Sequence, residues 1–512
     1  MSGRVMRWPL VVIALATVIG LAVADRGDDE IGGGLVQPSR DATSAAPGPG
    51  AEGGVWYCSE GTSLPGEFAD HTIVVANPTG VAVAAEISVF PTTPIGSVSP
   101  LANPEKVLLN VPAQTQSFLR LAEIVESQYT AALVEVDSGS VVVEQRVQGP
   151  TGMDVVPCAS RSSETWYFAA GSTRRDARLV FTLFNPFPER AVVKFTFSTD
   201  EGLREPHALR GVLVPARSLV VVNATDLVPR FSSVSTTMET QVGRIVAGRL
   251  QLFDGSEGLE GLTAGPGVPE TQTQWVFPTG PADQGVAEHI VLYNPTDREA
   301  AADVRIRLDP SEIGDALPPF ELRVPAQQRV ALVFENRGNY PLPSAPFAYG
   351  AGDFVAEGVG FWAAVQVYNG VPIVAERVVA ASAASSPAGV AITVGTPVHA
   401  RNHLIAWNGA DDADVALVVV NASPDSIAQV TVSEVADGRV TPVAQLNPRE
   451  VAPHSRLVVP VDRLTEGGSF ALLVEASQPV VVSRSLLART GTGIASGLSI
   501  PLDPLLLDPS AF

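Results

Sequence analysis

Six histidines, two cysteines and one short acidic run are the side chains in this sequence best suited to chemistry. A zinc site needs three or four ligands that converge. His71, His207, His289, His399, His403 and His454 are instead scattered along the chain. His399 and His403 would share a face only on a helix, and their surroundings read as loop and strand. His71 and His289 each precede an apolar run that ends in Asn-Pro, and both read as surface positions at strand starts. The run Asp411-Asp412-Ala413-Asp414 offers oxygens to calcium but lacks the glycine and distal glutamate of an EF-hand loop, so a solvated turn is expected. No G-x-S-x-G, S-x-x-K, H-E-x-x-H or P-loop pattern occurs. The glycine-rich tract Thr490–Gly497 follows a strand pattern but opens no helix. These readings predict no catalytic residue, no metal and no cofactor, and hence a protein that is not an enzyme.

The elements around those residues are β-strands. Hydrophobic residues make up 46% of the chain and charged residues only 17%, which favours packed cores over disorder. Val-rich runs broken at short intervals by 45 glycines and 42 prolines read as sandwich or barrel strands. The net charge of −21 repels phosphate backbones, so nucleic acid is excluded as a partner.

The beginning of the sequence points outside the cytoplasm. Arg4 and Arg7 precede an uncharged stretch from Trp8 to Ala24, and Ala22-Val23-Ala24 fits a small-x-small cleavage site. Residues 1–24 are therefore expected to be a signal peptide or a membrane anchor. Residues 25–54, rich in Gly, Pro, Ser and acids, are expected to be a disordered linker. Everything beyond is then extracytoplasmic, either membrane-anchored or secreted. Cys58 and Cys158, the only two cysteines, suit one disulfide in an oxidising compartment.

Self-similarity organises the rest. Aromatic openings recur at Trp56-Tyr57, Trp166-Tyr167-Phe168 and Trp275-Val276-Phe277, with His403-Leu404-Ile405 as a degenerate copy. Apolar runs then end at Asn77, Asn185, Asn294 and Asn421. Val-Pro-Ala follows at Val111, Val214 and Val324, drifting to Ala452-Pro453-His454 in the last copy. A strand ending in arginine closes each unit, at Arg146, Arg249, Arg377 and Arg484. Period-two alternation supports the strands, as in Val193, Phe195 and Phe197 against Lys194, Thr196 and Ser198. The first three copies stand roughly 110 residues apart, about one immunoglobulin-like sandwich. The fold class expected is all-β: tandem immunoglobulin-like antiparallel sandwiches at 55–160, 161–268, 269–395 and 396–512. The repeated arginines could line a continuous face, but an ion pair copied with the repeat is the simpler expectation.

With its N-terminal apolar segment, its Trp-Tyr-Cys opening, its Asn-Pro and Val-Pro-Ala turns and its Val-Ala-Glu-Arg strand, the chain resembles a family of exported actinobacterial proteins of unknown function. That resemblance implies an envelope location, carries no established activity and supplies no catalytic residues.

One segment departs from the repeat. The third copy carries extra residues between Val-Pro-Ala and its arginine, around Arg337–Gly352, with Tyr340, Phe347 and Tyr349 as candidate exposed aromatics. Such a loop suits recognition of a sugar ring or a protein. The function expected is a non-enzymatic scaffold or interaction module of the cell envelope. Its partner would be an envelope protein or a cell-wall glycan, and the N-terminal segment would hold it to the membrane. A wall-polymer binder using the aromatic loop and an accessory to an envelope enzyme are the alternatives.

Overall fold

The structure is a computed structural model that describes residues 43–46, 53–137, 139–278, 286–309, 317–336, 340–343, 347–352, 354–355, 359–406, 413–461 and 470–507. The expected signal or anchor (1–24), most of the expected linker, and Asp411 and Asp412 lie outside these residues. Among the described residues no helix is long and apolar enough to cross a membrane. The described residues belong to one compact unit.

The architecture is all-β, built from antiparallel sheets packed as sandwiches. The first repeat shows the plan. Its strands are β1 (Gly54–Cys58), β2 (Asp70–Asn77), β3 (Val83–Thr93), β4 (Glu105–Val111), β5 (Thr115–Arg120), β6 (Thr130–Val136), β7 (Val142–Gly149) and β8 (Gly152–Pro157). One sheet runs β1-β6-β3-β4 and the other β5-β2-β7-β8. Alternate residues such as Val83, Ala85, Ile87 and Val89 are buried between them, which is the half-wet alternation that the sequence shows. The later repeats pair their strands in the same order. The counterparts of β7 are Val246–Asp254, Val374–Ala381 and the second half of the long strand Ala471–Ala488.

The Asn and Val-Pro-Ala landmarks meet in one knot. Asn77, Asn185, Asn294 and Asn421 are each fully buried at the end of β2 or its counterpart. Each side-chain amide donates to three carbonyls, one in its own turn and two in the Val-Pro-Ala turn, at 2.6–3.3 Å. Each amide oxygen accepts the backbone N–H two residues on. The residue after the turn, Gln114, Arg217, Gln327 or His454, takes φ of 51–57° and returns its N–H to the Asn turn. Buried carbonyls at a chain reversal must find donors, and asparagine supplies two from a short side chain. In the fourth copy the amide reaches Val451 and Ala452, so the true counterpart of Val-Pro-Ala is Val451-Ala452-Pro453, one residue earlier than the sequence comparison aligned it.

Among the opening aromatics Trp56, Trp166, Phe168, Trp275 and Phe277 are buried, while Tyr57 and Tyr167 are half-buried. Trp166 Nε1 donates to Ile245 O at 3.1 Å and Trp275 Nε1 to Ile373 O at 3.2 Å. In the fourth sandwich His403 occupies this place, with Nε2 3.0 Å from Val480 O. The disulfide Cys58–Cys158 joins the end of β1 to the residue after β8, with a Cα–Cα distance of 4.6 Å. At the counterpart positions a phenylalanine ring lies over a glycine. A Cβ on Gly267 would stand 2.7 Å from the Phe168 ring, and one on Gly395 2.7 Å from the Phe277 ring.

Candidate functional site

The four last strands meet at the centre of the molecule. β8 packs against Glu260–Pro266, that strand against Gly389–Val394, that against Ile494–Leu498, and the last returns to β8. The sandwiches thus close into a ring, the fourth touching the first. Short glycine-bearing strands suit this crowded axis. A Cβ on Gly261 would meet Val390 N at 2.6 Å, and one on Gly389 would meet Ile494 N at 2.6 Å.

A cavity of about 80 Å³ opens beside the axis, with walls from all four sandwiches. Trp166, Ile392, Val394 and Leu498 give it apolar surface, and Arg249, Glu376, His403 and Ser499 add polar groups. Most of that polarity is turned on itself. Arg249 Nη1 donates to Glu376 Oε2 at 3.0 Å and to Ala170 O at 2.6 Å. His403 Nδ1 lies 2.8 Å from Ser499 Oγ, and burial pushes its pKa down to about 4. Thr43 and Ser44 lie along the cavity wall. Next to them Ala45 N donates to Ser160 Oγ and Ala46 N to Pro501 O. This part of the expected disordered linker is therefore docked across the fourth and first sandwiches, because its backbone finds hydrogen bonds there and Ala46 is buried.

The seams between sandwiches carry the other concentrated chemistry. Arg249 of the second sandwich pairs with Glu376 of the third, and Arg484 of the fourth pairs with Glu144 of the first at 3.1 Å. All four side chains are essentially buried. Arg377 is also buried but turns inward to Glu288 of its own sandwich at 2.9 Å. Arg146 is not the fourth member of this set. Strand register aligns Gln145, opposite Val156, with Arg249 opposite Gly265, Arg377 opposite Thr393 and Arg484 opposite Gly497. Arg146 faces the other way, half-exposed, and donates to Gln148. The repeated arginines therefore do not line one face. A second set of contacts comes from the counterparts of β5. Arg329 reaches Asp200 and Ser198 O of the preceding sandwich, and Arg456 reaches Asp309 of its own predecessor at 2.8 Å.

Among the described residues, the seam between the first and second sandwiches has no buried arginine–carboxylate pair of this kind. Glu60, fully buried, accepts from Ser59 Oγ at 3.0 Å and from Gln145 Nε2. Its carboxylate stands directly over Gly248, where a Cβ would fall 1.8 Å from Oε1. Burial raises the Glu60 pKa to about 7, against the hydrogen bonds from Gln145 and Ser59. Asp154 on β8 accepts from Thr263 Oγ1 at 2.8 Å and Ala264 N at 2.9 Å in the second sandwich, and burial lifts it to about 6. Here β3 overruns its own sandwich, and Thr92 and Thr93 pair in parallel with Leu219 and Val220.

Two sequence expectations are corrected. Tyr340 is buried, with its ring 5.9 Å from Phe253 and 5.8 Å from His289. Phe347 and Tyr349 are half-buried against the same core. The extra segment lays Ala348–Gly350 parallel to Gln328–Asn336 and so covers an edge that would otherwise expose unpaired backbone. Its residues 337–339 and 344–346 lie outside the described set. His71 and His289 are likewise fully buried and not surface residues. Nε2 of His71 lies 3.0 Å from Gln145 Oε1, and burial lowers its pKa to about 4. Among the described residues no group of three or more His, Cys, Asp and Glu is placed to hold a metal. Glu60, Glu144, Asp154 and Glu288 were not singled out from sequence. The available signal was a lone acid inside an apolar strand, as in Val-Val-Val-Glu-Gln-Arg.

No curated protein matches the chain. Among solved structures, a Thermotoga maritima protein designated 1070 is 13% identical over 20% of this chain and 87% of its own, with a TM-score of 0.17. The Anabaena sensory rhodopsin transducer is 20% identical over 20% of this chain and 97% of its own, with a TM-score of 0.15. A Streptomyces avermitilis alpha-L-rhamnosidase complexed with L-rhamnose is 9% identical over 72% of this chain and 46% of its own, with a TM-score of 0.15. Scores this low carry no argument about function. The family comparison falls on the middle of the ring: residues 143–313, from β7 through the whole second sandwich and into the third, match the model of a family of unknown function (DUF5719).

Proposed function

We propose that this protein is a non-enzymatic structural and interaction protein of the cell exterior, in which the sandwich ring is a rigid body that displays a contact surface to an envelope protein. The observation that carries this reading is where apolar side chains reach solvent. Val98 is 85% exposed, Leu101 71%, Leu108 70% and Ile95 53%, and all four belong to the β3–β4 hairpin. No charged residue occurs between Glu86 and Glu105, in a chain of net charge −21. Exposed aliphatic side chains concentrated on one projection mark protein contact surfaces. Meanwhile the repeated Asn residues close turns within each sandwich, and Arg249 and Arg484 fasten two seams of the ring. The oxidised cysteine pair supports a location outside the reducing cytoplasm.

The test is site-specific photo-crosslinking in intact cells, with the probe at Val98 and, as a control, at Ile427 of the fourth sandwich, which is 51% exposed. A discrete cross-linked protein from position 98 alone supports the reading. Equal or absent cross-linking at both positions removes it.

A further inference from the structure

We propose that the seam between the first and second sandwiches is a pH-sensitive joint of the ring, which loosens as the surroundings turn from mildly acidic to alkaline. The geometry sets this seam apart. At the seams between second and third and between fourth and first, a buried carboxylate faces a buried guanidinium across the interface. At the first seam two buried carboxylates, Glu60 and Asp154, face hydrogen-bond donors, and among the described residues no guanidinium pairs with either.

The neighbours of Glu60 leave its charge uncompensated once it ionises. β7 offers neutral Gln145, while Glu144 on that strand is turned to Arg484. Arg146 on that strand points outward. β2 offers His71, which burial keeps neutral. The strand Ala177–Asn185 offers Thr182, bonded to Ser59 Oγ at 3.3 Å. The strand Val246–Asp254 offers Gly248, and the adjoining Arg249 is committed to Glu376 and Ala170 O. Around Asp154 the nearby cation is Arg484, which is held by Glu144, Ala406 O and Val155 O. A carboxylate with no cation, shut away from water, keeps its proton until the pH rises well above the usual range. Both acids have folded pKa values above the ordinary ones, about 7 from 4.5 for Glu60 and about 6 from 3.8 for Asp154. The folded state then binds the proton more tightly than the unfolded state. The seam's stability from these groups is full below about pH 4 and is lost as pH rises through about 6 to 7.

The experiment is hydrogen exchange of the full chain at pH 6 and pH 8, corrected for intrinsic base catalysis. Two amides report on the two kinds of seam: Ala264 N–H, which donates to Asp154, and Ala170 N–H, which donates to Glu376. The expected result is a loss of protection of about tenfold or more at Ala264 between the two pH values, with Ala170 unchanged. Glu60→Gln should shrink the loss at Ala264 to that left by Asp154 alone. Gln145→Arg, which supplies a cation beside Glu60, is a second variant expected to do the same. An equal loss at both seams, or a loss at Ala264 that neither variant reduces, overturns the proposal.

Discussion

The seam between the first and second sandwiches and the seam between the second and third bury a carboxylate in the same slot, delivered from opposite sides. The slot lies between the second residue after the opening strand of one sandwich and the residue preceding the buried Arg or Gln of the next. At the first seam these are Glu60 and Gly248, and at the second they are Ala170 and Glu376. The side facing the acid is small in both cases, since only one partner can fill the space. What differs is the counter-charge. Position 249 is arginine and completes an ion pair, whereas its counterpart at 145 is glutamine and offers only a neutral amide. The fourth-to-first seam repeats the second type with Arg484 and Glu144. The third-to-fourth seam repeats neither, because Arg377 is satisfied by Glu288 and Ser483 donates to Pro278 O. One backbone arrangement thus tolerates charged and neutral seams, provided each buried polar group finds a partner.

This contrast can be broken most forcefully at its charged end. Arg249→Met leaves Glu376 buried without its cation, and chemical denaturation should show a loss of about 3–5 kcal/mol. The neutral seam has a steric weakness instead. Gly248→Ala drives a methyl into Glu60, and a loss of about 1–3 kcal/mol is expected. Most of that loss should return in the double variant Glu60→Ala/Gly248→Ala, which recreates the small-residue wall; an undiminished loss would mean that the acid does not fill this slot. The smallest effect should come from Arg146→Ala. Arg146 lies outside the buried set, so its removal should change stability by no more than about 0.5 kcal/mol. A loss comparable to that of Arg249→Met would restore Arg146 as the true counterpart of the other arginines.

How much of this could be read from the sequence depends on whether the cause was local. Strand alternation around Phe195 and Phe197 was legible because burial on one face imposes a period of two. The Asn and Val-Pro-Ala landmarks were visible as repeats, and their spacing reflects one physical contact, an amide closing two turns. The pairing of Cys58 with Cys158 followed from their being the only two cysteines. The seams were not legible. Arg484 and Glu144 meet across 340 positions, and Arg249 and Glu376 across 127. Nothing in the neighbourhood of either residue names its partner. Arg146 misled because a Glu-Gln-Arg sequence presents its arginine one place late, and a shift of one residue turns a side chain to the opposite face of a sheet. Tyr340 misled because an insertion in a repeat suggests a projecting loop. Here the insertion covers an otherwise open strand edge and buries its own aromatic residue.

The central claim is that the first and last sandwiches close the ring, and a double-mutant cycle on Arg484→Met and Glu144→Gln tests it most directly. In a closed ring the two side chains touch, so the double variant should be less destabilised than the two single variants summed, by a coupling of about 0.5–3 kcal/mol. Strict additivity would show that these residues do not meet, and would contradict the ring.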